Sequence, residues 1–297
     1  MRHGNERKER LTAIGVVTSV VFCVLKFITG LVSGSIAIIS DALNALLDVV
    51  TYTAVYISVR IQERQPDADH HFGHRRAEPL AGLLVAIFAT ILGSTLIKDA
   101  MVSLFVEPHT PEFSLSPVII LLLSIAVKIV LARRYALENR STGSPAMHAS
   151  YIDSRNDVLA SAIALIGFAI GRPFDDVAAL LIGVWIIYSG GRIGMENLGY
   201  LMGVAPSDEK LLEIRKTAAA TPAVLGLNEL RAHYVGDKIH VEIHIELDDT
   251  LSLREAHDIG VNVQRRLEAL PEVQSAFVHI DPVHPDTDII RLGTPPD

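Results

Sequence analysis

Two five-residue stretches decide the architecture of this chain: Asn44-Ala45-Leu46-Leu47-Asp48 and Asp153-Ser154-Arg155-Asn156-Asp157. In each stretch, two oxygen-bearing side chains stand four residues apart within a largely apolar run. On a helix this spacing places both side chains on one face, one turn apart. Because ionisable groups are expensive inside a bilayer, such pairs in a membrane-spanning segment indicate a functional site.

Six apolar runs are long enough to cross a membrane, which takes about 20 residues. They lie at about 11–33, 36–60, 79–106, 115–135, 147–171 and 175–202, and the second and fifth contain the polar pairs. Apolar residues form 49% of the 297-residue chain, and the formal net charge of −8 argues against nucleic acid as a partner. The sequence therefore predicts a six-helix transmembrane domain over residues 1–206.

The connections between these runs differ in charge. Arginine is frequent before the first run, between the second and third, and between the fourth and fifth. The connections at 32–35 and 107–117 contain no Lys or Arg. The positive-inside rule therefore predicts a multi-pass membrane protein with both termini in the cytoplasm. We expect this membrane to be the cell (inner) membrane. With a rise of about 1.5 Å per residue, the two polar pairs then reach comparable depth.

A soluble domain is predicted over residues 207–284, followed by a flexible tail at 285–297. Residues 208–219 and 253–270 have helical patterns, and Ser252 and Glu255 can form a capping box before the second of them. Strands are predicted at 227–234, 238–247 and 273–280, where apolar and polar residues alternate. The order α-β-β-α-β predicts a small α+β domain.

Together these features resemble the cation diffusion facilitator family of divalent-metal/proton antiporters, over about residues 10–283. The resemblance is carried by Ser33-Gly34-Ser35, the segment 40–48, the segment 66–74, Ala77-Glu78, the segment 153–157 and His279-Ile280-Asp281-Pro282. It implies a homodimer in the lipid bilayer, six transmembrane helices and a ferredoxin-like cytoplasmic domain. It also implies transport without enzymatic activity or a catalytic cofactor.

The resemblance places the transport site at Asn44, Asp48, Asp153 and Asp157. Zinc-transporting members usually carry histidines among these positions, whereas Asn44 and Asp153 occupy the histidine-type positions here, as in the manganese-exporting branch. Oxygen ligands suit Mn²⁺, and imidazole favours Zn²⁺. Burying three carboxylates needs counter-charge, which we expect from a cation or protons alone. We expect Asp41 to be structural or an entrance residue rather than a fifth ligand.

Two further metal sites are implied by the resemblance. Asp67, His70 and His74 match a site at the turn between the second and third helices, where His70 and His74 are i,i+4 if the segment is helical. The alternative is a pH-sensitive loop without metal.

The soluble domain matches a regulatory metal site at the dimer interface through His244, His257, His279 and Asp281. Asn228 stands where another histidine can occur. His233 and His240 are expected to be exposed strand residues.

The expected function is export of Mn²⁺ from the cytoplasm in exchange for protons. No phosphate-binding G-x-x-x-x-G-K-[ST] stretch is present, so gradients must drive transport. Export of Zn²⁺, Fe²⁺ or Co²⁺ by the same mechanism is the alternative within this class. A metal-sensing membrane scaffold without transport is the alternative from another class, and an intramembrane hydrolase is disfavoured because H-E-x-x-H is missing. Lys26 and Lys128 lie deep in apolar runs and need partners that the sequence does not identify.

Overall fold

The computed structural model describes residues 2–62, 64–108, 110–142 and 145–283. The chain divides into two compact units. One, the helical unit, comprises residues 1–58 and 81–195, and the other, the C-terminal unit, comprises residues 59–80 and 196–297. The segment between the second and third helices thus belongs to the same unit as the C-terminal domain. The predicted tail at 285–297 lies outside the described residues.

Six long helices are present among the described residues: α1 (Arg2–Ser33), α2 (Ile36–Gln62), α3 (Ala77–Phe105), α4 (Leu115–Thr142), α5 (Pro145–Ile170) and α6 (Phe174–Leu201). All six predicted helices are confirmed. Five of them contain a described stretch long and apolar enough to span a membrane. Helix α5 does not, because Asp153, Arg155 and Asp157 lie close together in it.

Small residues let helices α3 and α6 approach closely. A Cβ atom added at Gly190 would lie 2.6 Å from the Cβ of Ala89, and one added at Gly93 would lie 2.8 Å from the backbone oxygen of Gly183. Small residues at helix contacts are typical of membrane helix packing. Large apolar side chains instead lie on outer surfaces, as in α1, where Val17 and Leu31 are 62% and 59% exposed.

The start of α2, which carries the first polar pair, is held by a buried carboxylate of α6. Asp175 accepts hydrogen bonds from the Ser35 hydroxyl at 2.5 Å and from the backbone N–H groups of Ile36 and Ala37 at 2.9 and 3.3 Å. It thereby satisfies N–H groups that have no partner within the helix, and its negative charge complements the helix dipole. Gly34, just before α2, has φ +68°, which glycine adopts without strain.

The C-terminal domain has the predicted order of elements: α7 (Asp208–Ala219), β1 (Gly226–Val235), β2 (Lys238–Asp248), α8 (Leu253–Glu268) and β3 (Val273–Val283). Its sheet has the order β1-β2-β3, with β1 antiparallel and β3 parallel to the central strand. Ile239, Val241, Ile243 and Ile245 of β2 are fully buried in a core shared with residues of α7 and α8. The capping box of Ser252 and Glu255 is confirmed.

Candidate metal sites

The four predicted transport-site residues come together where α2 meets α5. The Asn44 Nδ2 group donates a long hydrogen bond of 3.5 Å to Asp157 Oδ1. Asp48 lies close enough to Asp157 and Asp153 to interact electrostatically with both. The i,i+4 spacing on each helix is what permits this meeting, because it puts both members of a pair on the facing side. We call these four residues the tetrad.

The four side chains of the tetrad differ in their exposure to solvent. Asn44 and Asp157 are 8% and 5% exposed, Asp48 is half-buried, and Asp153 is exposed. The Tyr52 hydroxyl donates to Asp153 Oδ2 at 3.2 Å. Asp153 and Asp157 both line a small crevice together with Tyr52 and Lys128. The side chains therefore lead from an accessible carboxylate to a buried one.

Lys128 of α4 is a buried lysine whose partner the sequence does not identify. Its ammonium group pairs with Asp157 Oδ2 and donates to the Ser19 hydroxyl at 2.9 Å. The expectation that the three acids have only a cation or protons as counter-charge is therefore wrong for Asp157. The sequence did contain one sign of this counter-charge, namely the lysine itself, because a cation within a membrane helix needs a partner.

Lys26 of α1 also needs a carboxylate partner, and this partner is Asp41. Its Nζ atom lies 2.9 Å from Asp41 Oδ2 and donates to the Ser161 hydroxyl at 2.8 Å. Lys26 and Asp41 are 2% and 1% exposed. The carboxylate of Asp41 is thus neutralised within the protein, in line with a structural role.

Asp67, His70 and His74 lie together in the segment before α3. Asp67 Oδ1 is 3.0 Å from His70 Nδ1, Asp67 Oδ2 is 3.3 Å from His74 Nε2, and the two ring centroids are 4.4 Å apart. The hydrogen bond from His70 lowers the pKa of Asp67 below its usual value. This described segment consists of turns and bends from 64 to 76, so the helical spacing considered for the two histidines is wrong. The loop itself brings them together.

His244 of β2 forms a second group with His279 and Asp281 of the neighbouring strand β3, across one face of the sheet. His244 Nδ1 and His279 Nε2 lie 3.4 and 3.3 Å from the two oxygens of Asp281, and the rings are 4.5 Å apart. Asn228 donates to Asp281 Oδ2 at 3.3 Å. His257 lies on the exposed surface of α8, outside this group. Three of the four predicted residues therefore lie together within one chain, and the fourth, His257, does not.

The expectation that His240 is an exposed strand residue is wrong. Its side chain is only 7% exposed, and His233 beside it is half-buried. The aromatic rings of Phe72 and Phe277 lie 5.9 and 6.5 Å from the His240 ring, centroid to centroid. The strand pattern could not show this cover, because Phe72 comes from the distant segment before α3.

Two family profiles match this chain over nearly its whole length. The profile described as the cation efflux transmembrane domain matches residues 12–202, and that of the cytoplasmic domain of cation efflux proteins matches residues 206–283. This chain belongs to the cation diffusion facilitator family. As a member of that family it is a multi-pass membrane protein that exports divalent metal cations, and it is not an enzyme.

Of three similar family members, one is named for the metal it exports. An uncharacterized transporter of Methanocaldococcus jannaschii is 32% identical over 277 residues, which cover 92% of this chain and 98% of that protein. The cation-efflux pump FieF of Cronobacter sakazakii is 27% identical, covering 92% of each chain. The manganese efflux system protein MneS of Bacillus subtilis is 27% identical, covering 91% of this chain and 94% of that one.

Proposed function

We propose that this protein exports Mn²⁺ from the cytoplasm in exchange for protons, as a homodimer in the inner membrane with both termini cytoplasmic. The observation that carries the proposal is the composition of the tetrad. Its four side chains, Asn44, Asp48, Asp153 and Asp157, offer only oxygen as a metal ligand. Hard oxygen ligands suit Mn²⁺, whereas Zn²⁺ prefers tetrahedral sites rich in nitrogen and sulfur. The relative MneS, named for manganese efflux, supports the same choice.

The charge of the site also fits a divalent cation. With all groups ionised, the three carboxylates of the tetrad and the paired ammonium of Lys128 give a net charge of −2. One divalent ion neutralises this charge, and burial of an uncompensated charge is avoided. Lys128 contacts Asp157 Oδ2, whereas Asn44 contacts Oδ1, so the two partners hold the carboxylate in a fixed orientation.

Proton exchange is supported by the closeness of Asp48 and Asp157, whose carboxyl groups interact with each other. The oxygens of a carboxyl group bind either a proton or a cation. A cation that binds both groups therefore displaces their protons, and protons arriving from the other side of the membrane displace the cation. Asp153, the exposed member of the tetrad, is the first carboxylate that a cytoplasmic ion meets.

Flux into proteoliposomes tests the function as a whole. We expect Mn²⁺ uptake to increase with an outward proton gradient, and Mn²⁺ to outcompete Zn²⁺, Fe²⁺ and Co²⁺ for transport at equal free concentration. Uptake that ignores the proton gradient would contradict antiport. Preferred transport of Zn²⁺ or Fe²⁺ would support metal efflux but contradict the proposal that the exported metal is Mn²⁺. Absence of flux for all four metals would favour a sensing scaffold.

Lys128 gives a sharper prediction about charge. Lys128→Met keeps the length of the side chain and removes the ammonium, so the site with metal bound retains one excess negative charge. We expect Mn²⁺ flux at neutral pH to fall at least tenfold and to recover in part at lower pH, where an added proton restores neutrality. The measurement is initial uptake as a function of pH, with Lys98→Met, at an exposed position of α3, as the control. A wild-type pH profile for Lys128→Met would show that the charge pair is only structural.

We further propose that both cytoplasmic groups bind regulatory metal. Asp67, His70 and His74 provide one site, and His244, His279 and Asp281 provide the other. Each combines imidazole nitrogen with carboxylate oxygen, and the potential ligand atoms of each group lie within 4.8 Å of one another. His257 is expected to join the second site at the dimer interface.

A further inference from the structure

A cavity of about 620 Å³ in the C-terminal unit shares only His70 with the sites above. It lies between the segment 69–76 and the face of the sheet that is turned away from α7 and α8. Its wall includes four imidazoles and two phenyl rings, from His70, His71, His233, His240, Phe72 and Phe277. So many imidazoles around one space are unusual for a soluble domain, in which a neutral histidine is commonly a single buried or surface residue.

His240 lines this cavity and has a ring nitrogen without a partner. Its side chain is 7% exposed, and its Nε2 atom is buried without a hydrogen-bond partner in the described part of the chain. Gln274 lies beside the same ring. A ring nitrogen without a hydrogen-bond partner is free to bind a metal ion.

The second imidazole comes from the neighbouring strand. His233 of β1 pairs with His240 of β2 in the sheet register, and their ring centroids are 5.8 Å apart. With metal–nitrogen distances of about 2.0–2.1 Å, two imidazoles on a tetrahedral ion have centroids about 5.3 Å apart. A small rotation of either ring therefore suffices. His71 is exposed at the rim of the cavity, and its ring has to turn toward His233 and His240 to supply a third imidazole.

The charges around the cavity permit a cation. Arg76 and Arg231 line it, and Asp69 and Glu242 line it as well, so their formal charges cancel. Burial, with His233, Arg76 and Arg75 nearby, lowers the pKa of His240 below its usual value. The ring is therefore neutral at pH 7, which is the form that binds metal.

We propose that His233 and His240, together with His71, bind a borderline transition-metal cation such as Zn²⁺ in this cavity. The ligands come from the sheet and from the segment before α3, so the ion fastens these two parts to each other. Imidazole favours Zn²⁺ and similar transition metals as ligand partners. The proposal holds whichever divalent cation is exported.

Zinc stoichiometry of the full-length protein in detergent tests the proposal. Asp157→Asn, Asp67→Asn and Asp281→Asn are combined first, because they weaken the three other sites and leave every histidine of the cavity in place. Bound Zn²⁺ is then counted by equilibrium dialysis. Adding His233→Gln, or separately His240→Gln, is expected to remove one Zn²⁺ per chain or to weaken its binding at least tenfold.

A control variant and a choice between the two histidine variants make the Zn²⁺ count interpretable. Glu209→Gln, at an exposed acid of α7 that belongs to none of the metal sites, is expected to leave the Zn²⁺ count unchanged. His233 is only half-buried, so His233→Gln decides the matter if the His240 variant does not fold. An unchanged Zn²⁺ count and affinity in His233→Gln, with an unchanged melting temperature, would overturn the proposal and leave the imidazoles as packing residues.

Discussion

Replacing Asp48 or Asp157 by Asn is expected to abolish the Mn²⁺ export that we propose. Each substitution removes a charged ligand and the carboxyl group through which protons and metal compete, so we expect flux to fall at least a hundredfold, about 2.7 kcal/mol of lost interaction. The two variants differ in stability because only Asp157 pairs with Lys128. Asp157→Asn leaves a buried ammonium without its acid, a change that costs about 3–5 kcal/mol in comparable cases.

The measurement combines Mn²⁺ flux in proteoliposomes with thermal unfolding in detergent. Asp48→Asn is expected to be inactive at nearly wild-type stability, and Asp157→Asn to be inactive and less stable. Adding Lys128→Met to Asp157→Asn should restore stability without restoring flux. Asp99→Asn is the matched control, because Asp99 is an exposed acid of α3 and has no place in the tetrad. Wild-type flux in either tetrad variant would remove that residue from the transport site.

Replacing Asn44 and Asp153 together by His is expected to shift the metal preference toward Zn²⁺. Two imidazoles then stand beside Asp48 and Asp157, a ligand set suited to tetrahedral Zn²⁺ rather than to six-coordinate Mn²⁺. We expect the Mn²⁺/Zn²⁺ flux ratio to fall at least tenfold, about 1.4 kcal/mol. Asn44 is buried against Asp157, whereas Asp153 is exposed next to Tyr52. The larger part of the shift should therefore come from Asn44→His.

Competition flux with both metals in the same vesicles measures this ratio directly. Asp99→His controls for the mere addition of an imidazole to the membrane domain. The single variants Asn44→His and Asp153→His divide the effect between the two positions. If the double variant keeps the wild-type ratio while still transporting, selectivity is decided outside the tetrad.

The described residues also explain why one helix escapes detection by hydropathy. Helix α5 must cross the membrane to bring Asp153 and Asp157 to α2, yet these same residues make it too polar for an apolar-length criterion. The spacing of the pair identifies the helix where its hydropathy does not. The polar residues of the candidate site thus keep this helix from being recognised by its hydropathy.

Local patterns in the sequence determined most of the fold. Four-residue spacing predicted that each polar pair shares a helix face, and alternation in 238–247 predicted the buried face of β2. The Ser252–Glu255 capping box follows from residues three apart. These features depend on neighbours in the chain, and so the sequence alone contains them.

Only the tertiary structure decided which distant groups meet. Lys128 could have paired with any acid of the membrane domain, and the packing of α4 beside α5 selects Asp157. Asp67, His70 and His74 converge through a loop, whose path no periodicity specifies. His240 is buried because a segment some 170 residues earlier covers its strand. Pairing between remote residues depends on the packing of whole elements, and periodicity within an element carries no record of it.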